Sequence, residues 1–112
     1  MKNTLGIIGG TGKEGSGLAY RWALAGHKVI IGSRNEEKAL QAVAALRERI
    51  GDQKVELSGS TNAEAVNACD IAVLTVPFSA HASTLEGLKA ELQGKLLIDV
   101  CVPLMPPKVT KV

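Results

Sequence analysis

The sequence contains few aromatic side chains: one Trp, one Tyr and one Phe, or 3% of its 112 residues. Its core must therefore be aliphatic, and its many Val, Ile, Leu and Ala residues suit β-strands that are covered by helices on both faces. The chain also lacks any run of about 18 apolar residues, which excludes an ordinary membrane-spanning helix. Its formal net charge is only +2, with no dense run of Lys and Arg. We therefore expect neither a membrane nor a nucleic acid as a partner.

Cysteine is scarce as well, since the sequence has only Cys69 and Cys101, each within or beside an apolar segment. No CxxC pair and no Cys/His cluster suggests a metal site. Two buried, reduced thiols in a cytoplasmic protein are favoured over a disulfide or a redox pair. The N-terminus also lacks the cleavage site of a signal peptide, in agreement with a cytoplasmic location.

Strand-like and helix-like segments alternate along the chain. Apolar, β-branched segments predict strands at residues 5–8, 28–32, 54–57, 71–76 and 96–101. Apolar residues at helical spacing predict helices at residues 13–25, about 33–50, 61–68, and from Ser79 or His81 to Leu92. The second helix begins at Ser33, which fits a capping box with Glu36, or at Asn35. This alternation predicts an α/β fold: a Rossmann-type, doubly wound parallel sheet in three layers, with strand order 3-2-1-4-5.

One domain accounts for nearly all of the chain. We assign residues 1–103 to it, and residues 104–112 to a tail rich in Pro and Lys. Prolines exclude a helix or a central strand at this end of the chain. We expect the tail to lead into a further C-terminal part.

A glycine-rich segment joins the first predicted strand to the first predicted helix. It matches the pattern G-x-G-x-x-G, which in this position is typical of a loop that binds a pyrophosphate. Gly10 would permit the tight turn, Gly12 a close approach of the phosphates, and Gly15 close packing of the helix, which Gly17 would extend. A turn without a ligand is the alternative. The Glu14 carboxylate should face solvent or cap the helix. The predicted phosphate site comprises Gly10, Thr11, Gly12, Lys13, Glu14 and Gly15.

The end of the second predicted strand lacks the acidic residue that binds the ribose hydroxyls of NAD. Gly32, Ser33 and Arg34 stand there instead, and Lys38 follows one helical turn later. A 2′-phosphate needs hydrogen-bond donors and positive charge. Cations at the start of a helix interact unfavourably with the helix dipole, so basic residues in this position call for another explanation. This pattern favours NADP over NAD, although Arg34 and Lys38 as solvated charges remain the alternative.

Several motifs together resemble the NADPH-dependent reductases of the deazaflavin coenzyme F-420. The similarity runs from about residue 5 to residue 103. It rests on G-G-T-G-x-x-G at residues 9–15, G-L-A at 17–19, A-L-A-G-H at 23–27, G-S-R at 32–34 with E-K-A at 37–39, and A-C-D-I-A-V-L-T-V-P at 68–77. Asn35 departs from the family, whose members commonly carry another basic residue after the Ser-Arg pair.

The resemblance implies hydride transfer between NADP(H) and the deazaflavin, with no catalytic acid or base, because the cofactors carry the chemistry. It implies that the cofactor is held by Thr11, Ser33, Arg34 and Lys38. Val76 and Pro77 would line the path on the nicotinamide side, and Val102 and Pro103 would lie near the reacting rings. Family chains are about twice as long, and their second part completes the deazaflavin pocket and a homodimer.

Two other functions remain open: another NADP-dependent reductase with the same N-terminal half, or a non-catalytic module that binds NADP. Two further residues also have two interpretations each. His81 either contacts a ligand or is an ordinary residue of the first helical turn. Asp99 is either a pocket residue or part of the hydrogen-bonded structure.

Overall fold

The structure, a computed structural model, describes residues 3–76 and 81–100. The strands within these residues are β1 (Thr4–Ile8), β2 (Lys28–Ser33), β3 (Glu56–Thr61), β4 (Ile71–Leu74) and β5 (Leu96–Asp99). The helices are α1 (Lys13–Leu24), α2 (Glu36–Ile50), α3 (Asn62–Ala68), α4 (His81–Gly87) and α5 (Lys89–Leu92). All strands are parallel and form one sheet in the order β3-β2-β1-β4-β5, which confirms the predicted topology.

The first strand lies at the centre of the sheet. Gly6 in β1 is paired with Ile30 on one side and with Ala72 on the other. Because the strands are parallel, β1, β2, β3 and β4 all end at the same edge, where α/β folds bind their ligands. The carboxyl edge of the sheet is therefore the place to look for a functional site.

Buried side chains alternate between the two faces of the sheet, as they must in a strand. On one face, Ile7, Ile31 and Val73 belong to a cluster with residues of α1 and α2 such as Ala19 and Val43. On the other face, a second cluster contains Ile8, Ala72, Leu74, Val66 of α3 and Leu88. The protein therefore has the three layers that its aliphatic composition predicts.

The third strand lies further along the chain than predicted. The alternation of residues 54–57 marks only its start, because the strand continues through Ser58, Gly59 and Ser60 to Thr61. These small residues pair with β2, and a Cβ atom on Gly59 would lie 2.8 Å from the Ala39 carbonyl oxygen of α2. The close approach of α2 explains the glycine at position 59, and the small polar residues around it explain why this part of the strand carries no apolar signal.

Helix ends also differ in detail from the sequence-based expectation. Asn35 caps α2, and its Oδ1 accepts a hydrogen bond from the Glu37 amide at 2.9 Å. The capping box predicted for Ser33 is wrong, because Ser33 is the last residue of β2. The capping box that the structure does contain joins Thr61 to Glu64 at the start of α3.

The last predicted helix is interrupted at Leu88, which separates α4 from α5. The fourth and fifth strands end at Leu74 and Asp99, earlier than predicted. Gly26, with φ of +102°, follows α1 in the left-handed conformation, as expected of a glycine that ends a helix.

Cys69 is a free thiol that is only 2% exposed, and its Sγ donates to the Val66 carbonyl oxygen at 3.2 Å. Burial raises the pKa of this thiol, which favours the neutral form. The prediction of a buried, reduced thiol is therefore confirmed for Cys69, whereas Cys101 lies outside the described residues. Within the described part of the chain, no helix has the length and apolar character to cross a membrane.

Candidate functional site

A cleft of about 950 Å³ opens at the carboxyl edge of the sheet. Its walls come from the segments that follow β1, β2, β3 and β4, and from α4. The cleft therefore brings together stretches of chain that are far apart in the sequence. Residues of the glycine loop (residues 9–15) and of the basic turn after β2 (residues 33–38) line it, whereas Gly10 and Gly15 of the predicted phosphate site do not.

The glycine loop begins with a backbone conformation that suits glycine alone. Gly9 has φ of +74°, and a Cβ atom there would lie 2.5 Å from Cγ1 of Val76. The amide of Gly10 donates to the Gly32 carbonyl oxygen at 2.9 Å, which ties the loop to the end of β2. Gly10 lies in the turn between β1 and α1, as expected, but the left-handed conformation that requires a glycine is at Gly9, the first residue of the G-G-T-G motif.

Gly12 and Gly15 serve different purposes at the start of α1. Gly12 is the N-cap of α1, and among the described residues a Cβ atom there would meet only the Gly9 carbonyl oxygen, at 4.0 Å. A Cβ atom on Gly15 would lie 2.6 Å from the Cα of Gly10 and 2.9 Å from Oγ1 of Thr75. Gly12 therefore leaves open space in front of the helix, whereas Gly15 lets the helix pack closely. Apart from the adjacent backbone of α1, no atom of the described residues lies within 4 Å of the Cβ position of Gly17, so the close contact expected there is not found among them.

The turn after β2 supplies the basic wall of the cleft. Ser33 is buried, and its Oγ accepts a hydrogen bond from the Asn35 amide at 3.2 Å, which leaves its own proton for another acceptor. Arg34 and Lys38 are exposed and line the cleft with Ser33. Neither basic side chain makes a hydrogen bond or an ion pair with any residue that the structure describes. Glu36 does not line the cleft.

Two polar residues that the sequence analysis overlooked hold the glycine loop from either side. On the β3 side, Oδ1 of Asn62 accepts a hydrogen bond from the Gly9 amide at 3.1 Å. On the β4 side, the Thr75 hydroxyl lies 2.8 Å from the Ile8 carbonyl oxygen and 3.1 Å from that of Gly9. Their common signal in the sequence is a polar residue directly after a strand, at the edge where the glycine loop lies.

The other predicted site residues are distributed as follows. Thr11 and the exposed Glu14 line the cleft, as does Val76, which is 8% exposed. Lys13 is the first residue of α1. Pro77, Val102 and Pro103 lie outside the described residues.

The structure also gives the positions of His81 and Asp99, each of which has two interpretations from the sequence. His81 is the first residue of α4. Asp99 is exposed, interacts with another residue of the protein and does not line this cleft, which favours its interpretation as part of the hydrogen-bonded structure. The edge position of β5 explains this exposure.

The parallel sheet, the glycine loop between β1 and α1, and the cleft at the carboxyl edge define a Rossmann-type domain. The family model described as NADP oxidoreductase coenzyme F420-dependent matches residues 4–103. The chain belongs to this family, which confirms the resemblance seen in the motifs.

Curated relatives agree with this assignment. The chain is 46% identical over 100 residues to an F420-dependent NADP reductase of Methanothermobacter marburgensis, an alignment that covers 89% of this chain and 45% of the relative. It is 44% identical over 104 residues to the protein of the same name from Methanothermobacter thermautotrophicus, with 93% and 45% covered. The chain thus spans about 45% of the length of these relatives.

Solved structures share the fold. A protein of Arthrobacter sp. FB24 that is named as an F420-dependent NADP-reductase superposes with a TM-score of 0.70 at 20% identity, over 87% of this chain and 44% of its own. Lactate dehydrogenase of Eimeria maxima, crystallised with NADH and oxamate, superposes with a TM-score of 0.73 at 12% identity, over 88% and 36%. At these identities the likeness concerns the fold alone.

Proposed function

We propose that this chain binds NADP(H) in the cleft, as the nucleotide-binding part of a reductase that transfers hydride between NADP(H) and the deazaflavin coenzyme F420. The observation that carries the proposal is that the glycine loop and the basic turn line one cleft. The first offers donors to a pyrophosphate, and the second offers positive charge to a 2′-phosphate. NADP carries both groups on one ribose.

The start of α1 suits the pyrophosphate. The first N–H groups of a helix have no partner within the helix, and the helix dipole adds positive potential at this end. Gly12 has no side chain to obstruct these groups, and among the described residues a Cβ atom there would meet only the Gly9 carbonyl oxygen. The Thr11 hydroxyl at the same place is a further donor.

The basic turn suits the 2′-phosphate, because Arg34 and Lys38 would neutralise its charge and the Ser33 hydroxyl would donate a hydrogen bond. Arg34 also offers a planar guanidinium that can stack on an adenine ring. No carboxylate takes the position of the ribose-binding acid of NAD enzymes, since Ser33 ends β2.

Hydride transfer needs orientation and the exclusion of water more than it needs a catalytic acid or base. The bound nicotinamide would supply or accept the hydride, and the protein would hold it in place. Val76, buried against the glycine loop, provides an apolar wall where the nicotinamide half would lie. The deazaflavin as redox partner is supported by the relatives named F420-dependent NADP reductase.

The cofactor assignment is tested by titrating the chain with NADPH and with NADH. Replacing Arg34 by Ala should weaken NADPH binding by about 1–3 kcal/mol, the scale of a lost charged hydrogen bond, and hardly affect NADH. Arg21→Ala is the matched control, because Arg21 is exposed on α1 and does not line the cleft. A preference of the unaltered chain for NADH, or equal losses in both variants, would contradict the role of Arg34.

The redox partner is tested separately. The protein is mixed with NADP and reduced deazaflavin, and the absorbance of the oxidised deazaflavin is followed over time. Its appearance at a rate that depends on the protein supports the proposal. Tight binding of NADPH without any transfer, in a protein that also carries the C-terminal part assigned by the resemblance to the deazaflavin pocket, would contradict the deazaflavin assignment. That outcome would favour another NADP-dependent reductase or a nucleotide-binding module.

A further inference from the structure

Asn62 lies where the two proposed phosphate sites meet. It is the first residue of α3, directly after β3, and its side chain lines the cleft although the residue is only 9% exposed. A buried polar side chain is costly unless its groups are hydrogen-bonded. The partners of this amide therefore indicate what it does.

The orientation of the Asn62 amide follows from its partner. The Gly9 amide nitrogen, 3.1 Å away, is a donor, so the atom that faces it must be the acceptor Oδ1. Oδ1 also occupies the space left by Gly32, where a Cβ atom would lie 2.7 Å from it. One side-chain oxygen thus touches both the glycine loop and the residue that precedes Ser33.

The Nδ2 group remains to be accounted for. It donates a hydrogen bond to none of the residues that the structure describes. It is also not fully buried, in contrast to Nδ1 of His27, which is buried and has no partner among the described residues. Because Asn62 lines the cleft, the two N–H donors of this group are available on the cleft side. A ligand with acceptor oxygens would satisfy them.

We propose that Asn62 holds the glycine loop and the basic turn in register and donates hydrogen bonds to the adenosine half of NADP(H). This inference rests on the proposed function. In NADP a single ribose joins the pyrophosphate to the 2′-phosphate. A donor placed between the sites for those two groups meets the oxygen atoms of that ribose and of its phosphates.

Asn62→Asp separates the two roles of the amide. A carboxylate of the same shape still accepts from the Gly9 amide, but it loses both donors and places negative charge between two phosphates. We expect affinity for NADPH to fall at least about tenfold, or about 1.4 kcal/mol. Asn67→Asp is the matched control, because Asn67 is exposed on the same helix and does not line the cleft; it should change affinity by less than about twofold.

The fragment 2′,5′-ADP, which carries only the adenosine half, should lose affinity for the N62D variant by the same factor as NADPH. A loss for NADPH that is absent for 2′,5′-ADP, or equal effects of N62D and N67D, would overturn the inference. If the unaltered chain bound neither NADPH nor 2′,5′-ADP, this result would contradict the proposed function itself, and the donor role of Asn62 would fall with it.

A measurement on the unaltered protein guards against a variant that fails to fold. In a proton–nitrogen correlation spectrum, addition of 2′,5′-ADP should move the side-chain amide resonances of Asn62 and leave those of Asn67 in place. The Gly9 backbone amide should also exchange slowly with solvent before any ligand is added, since it donates to Asn62. Unmoved Asn62 resonances at saturating ligand would contradict the donor role. Rapid exchange of the Gly9 amide would contradict the hold on the loop.

Discussion

At the scale of single residues, two glycines near the start of α1 differ in whether the structure requires a glycine at their position. Gly9 combines a positive φ with a Cβ position only 2.5 Å from Cγ1 of Val76, whereas the Cβ position of Gly17 in α1 has no contact within 4 Å in the described part of the chain beyond the adjacent helix backbone. The first glycine is required by the shape of the loop, whereas the second only adds freedom to the unfolded chain. The two positions therefore offer a direct comparison within one segment.

We predict that Gly9→Ala lowers the free energy of unfolding by at least about 1–2 kcal/mol, because an L-residue is strained at this φ. Gly17→Ala should raise the free energy of unfolding by about 0.5–1 kcal/mol, since alanine is the better helix former. Urea unfolding of both variants beside the unaltered chain measures the difference. A Gly9→Ala variant as stable as the unaltered chain would show that the loop does not need a glycine at this position.

The sequence predicts the shape of the glycine loop well, because the glycines themselves mark the positions where side chains do not fit. Gly15 is needed where the backbone of α1 meets the backbone of Gly10, and Gly9 is needed for its positive φ. Asn62 and Thr75 could not be found in this way. Each acts through a hydrogen bond to a loop more than fifty positions earlier in the chain, and only the assembled sheet makes them neighbours.

At the scale of secondary-structure elements, Lys95 secures the C-terminal end of α3. Its Nζ donates to the Cys69 carbonyl oxygen at 2.6 Å and lies 3.4 Å from that of Asn67. The last carbonyl groups of a helix lack partners within it, and a cation there also interacts favourably with the helix dipole. Lys95 precedes β5, so this contact joins the edge strand to α3.

Lys95→Met should therefore lower the free energy of unfolding by about 1–2 kcal/mol, through the loss of a charged hydrogen bond with little loss of apolar packing. Lys89→Met serves as the control, because Lys89 is exposed on α5. Chemical denaturation of both variants provides the measurement. Equal stability of the two would mean that the contact of Lys95 contributes nothing.

The elements that the sequence predicts best are those with a strong apolar pattern, such as β1, β2 and α2. The predicted boundaries of β3 are wrong because its second half consists of small residues without an apolar pattern, among which Gly59 permits the close approach of α2. The choice between Ser33 and Asn35 as the cap of α2 could not be made from residue types alone. It depends on how far β2 continues, and β3 sets that limit by pairing Ser33 with Thr61.

At the scale of the whole molecule, the cleft is built from segments after four strands, so a bound ligand would connect all of them. NADPH at about one hundred times its dissociation constant should stabilise the protein by about 2.7 kcal/mol. For a domain of this size the melting temperature should rise by roughly 10–20 °C. Thermal unfolding with NADPH, and with NADH at the same concentration, tests this. A larger shift with NADH would contradict the preference for NADP.

The strand order was predictable for the whole molecule because alternating strands and helices leave few ways to connect a parallel sheet. The homodimer that the resemblance implies stays a prediction, to be checked by sedimentation of the purified protein. Nothing in the pattern of residues 1–103 reports directly on a surface between two copies of the chain.

The central position of β1 has a consequence for how the chain acquires its structure. At the start of β1, the Thr4 amide donates to the Asp70 carboxylate, 66 residues away, and the Asp70 amide donates back to Thr4. The contacts of β1 with β2 form between near neighbours in the sequence, but those with β4 require a long loop to close. During synthesis on the ribosome, one edge of β1 therefore stays without its partner until the fourth strand has emerged.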